Sequence, residues 1–348
     1  MSFARYRHSP AGTAWKILKG RSGVARIPLI VNLLLTYRCN LRCAYCGVWS
    51  NPPPEMDTAT VLQLIDQVAD AGTERLSLGG GEPMLRRDLG NIISHAKRRG
   101  LTVNLVSNGL QIPRRIGELA GLDFLAISLD GPQAVHDKAR GKGSYARAIA
   151  AIRAARAANI EVWTTTVLGR NNIGLIPEVI ALATREGIRA TFLPVMKEGL
   201  QSRNAAELLP DPEAFTAAMN YLIVERDRPA TPLASSTDLF AFYRDHWGRQ
   251  QPQQKQGAWH AGRLRCHAAQ LFCSISPDGM LYPCNYLQGA VKGWSTTELG
   301  FAHALEKLQA PDCGGCWCDS FIECNLVFGF KPGALRNVLN VLAVHQEG

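Results

Sequence analysis

The sequence predicts an α/β fold followed by a small cysteine-rich α+β extension, on three observations. Six extended apolar runs alternate with amphipathic helical patterns between residues 29 and 196. They recur at about 30 residues, the length of a strand, a turn and a returning helix, which is the spacing of a parallel sheet with right-handed crossovers. Cysteine occurs three times between Cys39 and Cys46, then not for 219 residues, then seven times between Cys266 and Cys324.

The strands are expected at Leu29–Thr36, Arg75–Leu78, Thr102–Val106, Phe124–Leu129, Glu161–Val167 and Arg189–Val195. The first intervening helix begins at an Asp57 cap, carries Val61, Leu62, Ile65 and Val68 on one face, and ends near Gly72. Further helices are expected over 88–99, 144–159 and 175–186, with a shorter piece over 114–120. Two helical patterns, 213–228 and 238–247, precede the polar run Arg249–Gln256, which reads as a linker or exposed loop. Pro277-Asp-Gly279 supplies a turn between two short strands, so Cys273 and Cys284 are expected at the same end of one hairpin. A helix over 298–309 and an apolar, weakly basic stretch over 325–344 complete the chain.

Composition sets outer limits. At 348 residues with 46% hydrophobic and 19% charged, the chain has a globular balance. No run approaches the roughly 18 apolar residues of a membrane span, and basic residues interrupt the first 26 positions where a secretory signal would need an apolar run. A cytoplasmic protein is expected, and in a reducing cytosol grouped cysteines read as metal ligands. The net charge of +9 is concentrated at one end: residues 1–54 hold eight basic side chains and no acid. That suggests either a solvated tail or a segment docking on anionic lipid, nucleic acid or an acidic partner, the first of which would place the protein at the inner membrane face. Four regions are expected: a basic segment 1–26, a barrel 27–200, a helical and linker region 201–260, and an auxiliary domain 261–348.

Cys39, Cys43 and Cys46 lie just past the first strand in Cys-x3-Cys-x2-Cys spacing. Three thiolates from one loop can hold three corners of a cubane and leave the fourth iron open. Structural zinc is the alternative, but it wants a fourth Cys or His nearby. With Tyr45 before the third cysteine, the motif resembles that of the radical S-adenosylmethionine (radical SAM) superfamily. The resemblance implies a partial (β/α)6, TIM-like barrel and a 4Fe-4S cluster whose open iron is chelated by SAM. It also implies one-electron cleavage to a 5′-deoxyadenosyl radical that takes a hydrogen atom from the substrate, and a reductant such as flavodoxin or ferredoxin. Unusual residues sit at the other strand ends, where parallel barrels gather function. By resemblance, Gly80, Gly81 and Glu82 hold the SAM amino group, and Ser107, Asn108, Ser128 and Asp130 lie around its ribose and carboxylate. Arg140 either pairs with that carboxylate or is a surface arginine.

The later cysteines resemble the SPASM or twitch extensions that follow radical SAM barrels, which implies one or two auxiliary 4Fe-4S clusters. The expected ligands are Cys266, Cys273, Cys284, Cys313, Cys316 and Cys324, with Cys318 the spare thiol because it breaks the family spacing. A zinc ribbon is the alternative. The SPASM resemblance points first to peptide or protein maturation. The basic, aromatic-bearing N-terminus and the apolar stretch Leu326–Phe330 would instead suit a lipophilic substrate at an anionic membrane. A non-catalytic iron–sulfur electron carrier is the competing class. Nucleic acid is not expected as a partner, because the body is neutral and lacks a basic-aromatic stripe.

Overall fold

The computed structural model describes residues 8–196, 204–247, 264–310 and 316–343. Six parallel strands lie side by side in chain order: β1 (Ile30–Thr36), β2 (Arg75–Gly80), β3 (Thr102–Ser107), β4 (Phe124–Ser128), β5 (Glu161–Leu168) and β6 (Arg189–Pro194). This is the expected partial barrel. Its strands agree with the sequence to within two residues because each is a largely apolar run, and most are closed by glycine, serine or proline. The two faces of the sheet differ. Val31, Leu33, Leu35, Leu76, Leu78, Val103 and Leu105 are almost fully buried beneath the helices. The alternate residues Asn32, Leu34, Ser77, Gly79, Asn104 and Val106 face the lumen, as a period of two requires.

The crossover helices follow their caps. Asp57 accepts the Thr60 N–H at 2.8 Å and starts helix Thr58–Asp70, which buries Val61, Leu64, Ile65 and Val68. Leu64 takes the buried place expected of Leu62, which is only partly covered. Helices Leu89–Arg98, Ser144–Ala157 and Ile176–Glu186 occupy the other expected positions, and Ile112–Arg115 continues as a 3-10 turn to Leu119.

Two regions join the barrel more closely than the sequence suggested. Residues 10–22 form a helix capped by Ser9, with Ile17 and Gly20 buried and Gly20 set against Leu271. Lys16 bonds Glu74 at 2.9 Å, and Arg21 and Arg26 donate to the Phe328 and Leu305 carbonyls at 2.6 and 2.8 Å. Part of the basic segment is therefore a packed helix and not a solvated tail. At the far edge, Ala190 exchanges backbone bonds with Pro232 and Ala234 at 2.9 and 3.0 Å, closing β6. Helices Pro212–Arg226 and Thr237–His246 then bury Phe215, Phe240 and Tyr243. The polar run Arg249–Gln256 lies outside the described residues.

The extension continues the same sheet. β7 (Phe272–Ile275) pairs in parallel with β1, setting Ile30 beside Phe272 and Val31 beside Cys273. β8 (Met280–Tyr282) and β9 (Trp294–Ser295) follow antiparallel, and the sheet order is β6-β5-β4-β3-β2-β1-β7-β8-β9. Gly279, at φ +81°, makes the turn between β7 and β8. Gly300, at φ +75°, divides the one helix expected over 298–309 into Thr296–Leu299 and Phe301–Lys307. Helices Asp319–Phe328 and Pro332–Ala343 close the chain against the barrel. No described helix is long and apolar enough to cross a membrane.

Candidate active site

The first cysteine loop leaves the end of β1 and is held by the end of β2. The Gly81 N–H donates to the Thr36 carbonyl at 2.7 Å, and the Glu82 N–H to the Arg38 carbonyl at 2.9 Å. Glycine is required here for closeness. A Cβ on Gly80 would stand 2.2 Å from the Thr36 oxygen, and one on Gly81 would stand 2.3 Å from the Arg38 oxygen. The Gly-Gly segment thus lies directly against the backbone that delivers Cys39.

Cys43 is buried, and Cys39 and Cys46 are half-buried. Burial pushes all three thiols up, while Arg140 pulls Cys43 and Cys46 the other way. The Arg140 Nη1 lies 4.0 Å from the Cys43 sulfur. A cationic neighbour suits thiolates that must lose their protons to bind metal.

Glu82 is fully buried and ties three turns together. Its carboxylate accepts from Met84 N–H at 3.0 Å, Ser107 hydroxyl at 2.9 Å and Asn108 N–H at 2.8 Å. Burial raises its carboxyl above the ordinary range despite those bonds. The Asn108 side chain reaches the Asn40 side-chain oxygen at 2.7 Å, inside the cysteine loop. Glu82, Ser107 and Asn108, expected at the SAM site, therefore form one cradle under that loop. Ser128 ends β4 and makes no bond in this network among the described residues.

Arg140 is not a surface arginine. It pairs with Asp130 at 2.6 Å, both residues are buried, and the Tyr45 hydroxyl donates to the same carboxylate at 2.8 Å. Burial opposes the charge on Asp130, but Arg140 outweighs it and holds the carboxyl below the usual range. His136 accepts the Asp130 N–H through Nδ1 at 3.2 Å, and burial, then Arg140, lower it to about 4. Asn172, which the sequence reading missed, donates to the Asp130 and Val167 carbonyls at 2.9 and 2.8 Å. Its signal was its place just past β5, at the same barrel end as the other site residues.

The second group differs from expectation. Burial and the neighbouring Cys318, Cys266 and Cys284 push the Cys316 thiol up, so these four sulfurs share one region. Cys318, expected to be spare, belongs there and accepts a bond from the Tyr286 hydroxyl. Cys273 does not: it is fully buried within β7, and burial alone raises it, with no other thiol acting on it. The hairpin register sets Ser274 beside Tyr282, so Cys273 and Cys284 do lie at the same end of the ribbon, but one residue out of step. Cys324 lies on helix Asp319–Phe328 next to Arg75. Cys313 lies outside the described residues. Cys266 and Cys284, expected among the ligands on either side of the Gly279 turn, are both in this region.

Between the two groups lies a cavity of about 240 Å3. Lumen residues of the strands, among them Gly79, Gly80 and Thr165, form one wall, and Asn285, Tyr286, Cys318 and Asp319 the other. Among the described residues no three Cys, His, Asp or Glu side chains stand close enough to hold a single metal ion.

A parallel half-barrel with three thiols on the loop after its first strand, a glycine cradle beside them and a lumen cavity defines a metallocofactor-dependent barrel enzyme. The chain belongs to the radical SAM superfamily, whose family description matches residues 33–195. It is similar to the PqqA peptide cyclase of Xanthomonas euvesicatoria pv. vesicatoria, at 32% identity over 274 residues, covering 75% of this chain and 69% of that protein. It is also similar to the mycofactocin maturase MftC of Mycobacterium ulcerans, at 29% identity over 309 residues, covering 83% and 80%. Among solved structures, Streptococcus suis SuiB bound to precursor peptide SuiA superimposes with a TM-score of 0.63 at 16% identity, covering 86% of this chain and 70% of that one. The enzyme anSMEcpe with bound AdoMet gives a TM-score of 0.62 at 15% identity, covering 92% and 95%. At those identities the structures establish a shared fold. The chain is a radical SAM enzyme, a class that cleaves SAM at a 4Fe-4S cluster and modifies its substrate by radical chemistry.

Proposed function

We infer that this enzyme modifies a peptide. The carrying observation is the cavity of about 240 Å3 that touches both the SAM-end glycines and the auxiliary cysteine region. It can admit a side chain or two of a peptide held across the barrel mouth, and PqqA peptide cyclase and MftC, whose names are those of peptide or maturation enzymes, support the reading.

Cys39, Cys43 and Cys46 would hold a 4Fe-4S cluster through three irons, and the chemistry it supplies with SAM is a 5′-deoxyadenosyl radical made by one-electron cleavage. The structural fit rests on the cradle: Gly80 and Gly81 lie so close to the cysteine loop that a Cβ on either would overlap its backbone. Tyr45, Asp130 and Arg140 brace the loop from the other side, and Arg140 supplies positive charge beside Cys43. Cys266, Cys284, Cys316 and Cys318 would hold one auxiliary 4Fe-4S cluster, with Cys313 available in the same segment. An acidic one-electron carrier such as flavodoxin or ferredoxin would be the reductant.

A lipophilic substrate at an anionic membrane is the second reading, favoured by exposed Trp15, Leu18 and Phe330 near Lys19 and Arg21. The test supplies the anaerobic, reduced enzyme with SAM and a pool of perdeuterated peptides, and follows deuterium into 5′-deoxyadenosine. Peptide maturation predicts transfer from peptide and none from perdeuterated isoprenoid lipids in anionic vesicles. The reverse pattern would select the membrane reading.

A further inference from the structure

Arg75 is the first residue of β2 and lines the lumen cavity opposite the auxiliary segment. None of the ion pairs among the described residues includes it. Cys324 shares a side-chain bond with it, and its Nε–H is buried without an acceptor. A guanidinium withdrawn from water without a counter-ion is costly, and a ligand carboxylate is the partner that matches its planar fork. The acids on the cavity wall are committed elsewhere: Glu323 is bonded by Ser236 and Asn337, and Asp319 by Ser320. The side-chain oxygens of Asn104, two residues further along the lumen face, and Asn285, on the opposite wall, are likewise buried without donors and line the same cavity. One cationic fork and two amide acceptors lining a single cavity match a carboxylate accompanied by N–H groups, the chemistry of an acidic residue in a peptide.

We propose that the barrel lumen anchors one carboxylate of the substrate peptide, with Arg75 as its counter-ion and Asn104 and Asn285 accepting peptide N–H groups. The proposal deepens the peptide reading above and rests on it. Arg75 stands four residues before Gly79 on the same face of β2, about 13 Å lower along a strand that rises about 3.3 Å per residue. At about 3.3–3.6 Å per extended residue, a carboxylate held below the strand ends fixes how many residues further along the peptide the one level with the cysteine loop stands. Arg75 is thus a positioning residue that sets which residue of the peptide is presented.

The test compares two probes, Ac-Ala-Glu-Ala-NH2 and Ac-Ala-Gln-Ala-NH2, for binding to the anaerobically purified protein by ligand-observed NMR, without SAM or reductant. The glutamate peptide should bind about tenfold more tightly, a difference of about 1.4 kcal/mol. Arg75→Gln should erase the difference, and Arg75→Lys, which keeps the charge but loses the fork, should retain part of it. Equal binding of both probes to the wild type, failure of both to bind, or a preference that survives Arg75→Gln would overturn the proposal. The wild-type ratio needs no variant, so a poorly folding Arg75→Gln protein leaves the proposal testable. Hydrogen transfer from peptides without any preference for glutamate would reject the lumen anchor alone, whereas transfer from lipid instead of peptide would reject the peptide reading itself.

Discussion

Cys39, Cys43 and Cys46 sit on one loop whose shape is fixed by backbone bonds to β2 and by the buried Asp130–Arg140 pair. Cys266, Cys284, Cys316 and Cys318 come from three separated segments, brought together by β7 joining β1 and by aromatic packing. Trp317, between two of those cysteines, stacks on Tyr243 at 6.0 Å and meets Trp247 edge-on at 5.3 Å. The first group is a local object. The second exists only once the chain has folded, and which of its thiols stand together follows tertiary geometry more than spacing.

This contrast can be broken at several points. The largest effect is expected from Gly81→Ala, whose Cβ would meet the Arg38 oxygen at 2.3 Å. Backbone cannot yield as a flexible side chain can, so the cysteine loop should lose its position. SAM cleavage, followed as 5′-deoxyadenosine, should fall at least a hundredfold, a loss of about 2.7 kcal/mol or more at tenfold per 1.36 kcal/mol. Arg140→Gln comes next. Removing one partner of a buried ion pair costs about 3–5 kcal/mol, because Asp130 is left charged and unpaired. Denaturant unfolding should report that loss, and a change below 1 kcal/mol would mean that the pair does not brace the loop.

A pH dependence belongs to the same brace. His136 titrates at about 4 in the folded chain and near 6.5 when unfolded, so between those values the unfolded state binds the extra proton. Stability is therefore highest above pH 6.5 and declines as pH falls toward 4, by up to about 3 kcal/mol from this residue at about 1.36 kcal/mol per unit. His136→Gln should flatten the slope by up to one proton. His267, also lowered to about 4 by burial, then Arg265 and Arg21, adds a similar slope that the variant leaves in place. The smallest effect is expected at Cys273. Cys273→Ala should keep all auxiliary iron, whereas Cys284→Ala should lose about four irons per chain, the content of one cubane. Equal losses would return Cys273 to the ligand set.

The barrel was legible because its signals are local: each strand is a largely apolar run of five to eight residues, four of the six ending in glycine, serine or proline, and Asp57 marks its helix by a cap. The first cysteine loop was legible for the same reason. The role of Arg140 was not, since only the folded chain brings it to Asp130 and Cys43. The hairpin that brings Cys273 and Cys284 to one end was legible, but the full burial of Cys273 was not, because it comes from β7 lying between β1 and β8. The nearness of Cys318 to Cys316 and Tyr286 was not legible, because spacing along the chain does not show which thiols meet in the fold. The helix at Pro10–Ser22 was hidden by its charge: Lys16, Arg21 and Arg26 look like a solvated tail until their internal acceptors are known.

We propose that one barrel carries two iron–sulfur sites of separate construction, of which only the first cleaves SAM. The direct measurement combines iron content and 5′-deoxyadenosine formation in the anaerobically reconstituted triple variant Cys39→Ala, Cys43→Ala and Cys46→Ala. The account predicts no 5′-deoxyadenosine and a retained iron content of about four per chain. Continued SAM cleavage in that variant, or complete loss of iron from a folded chain, would contradict it.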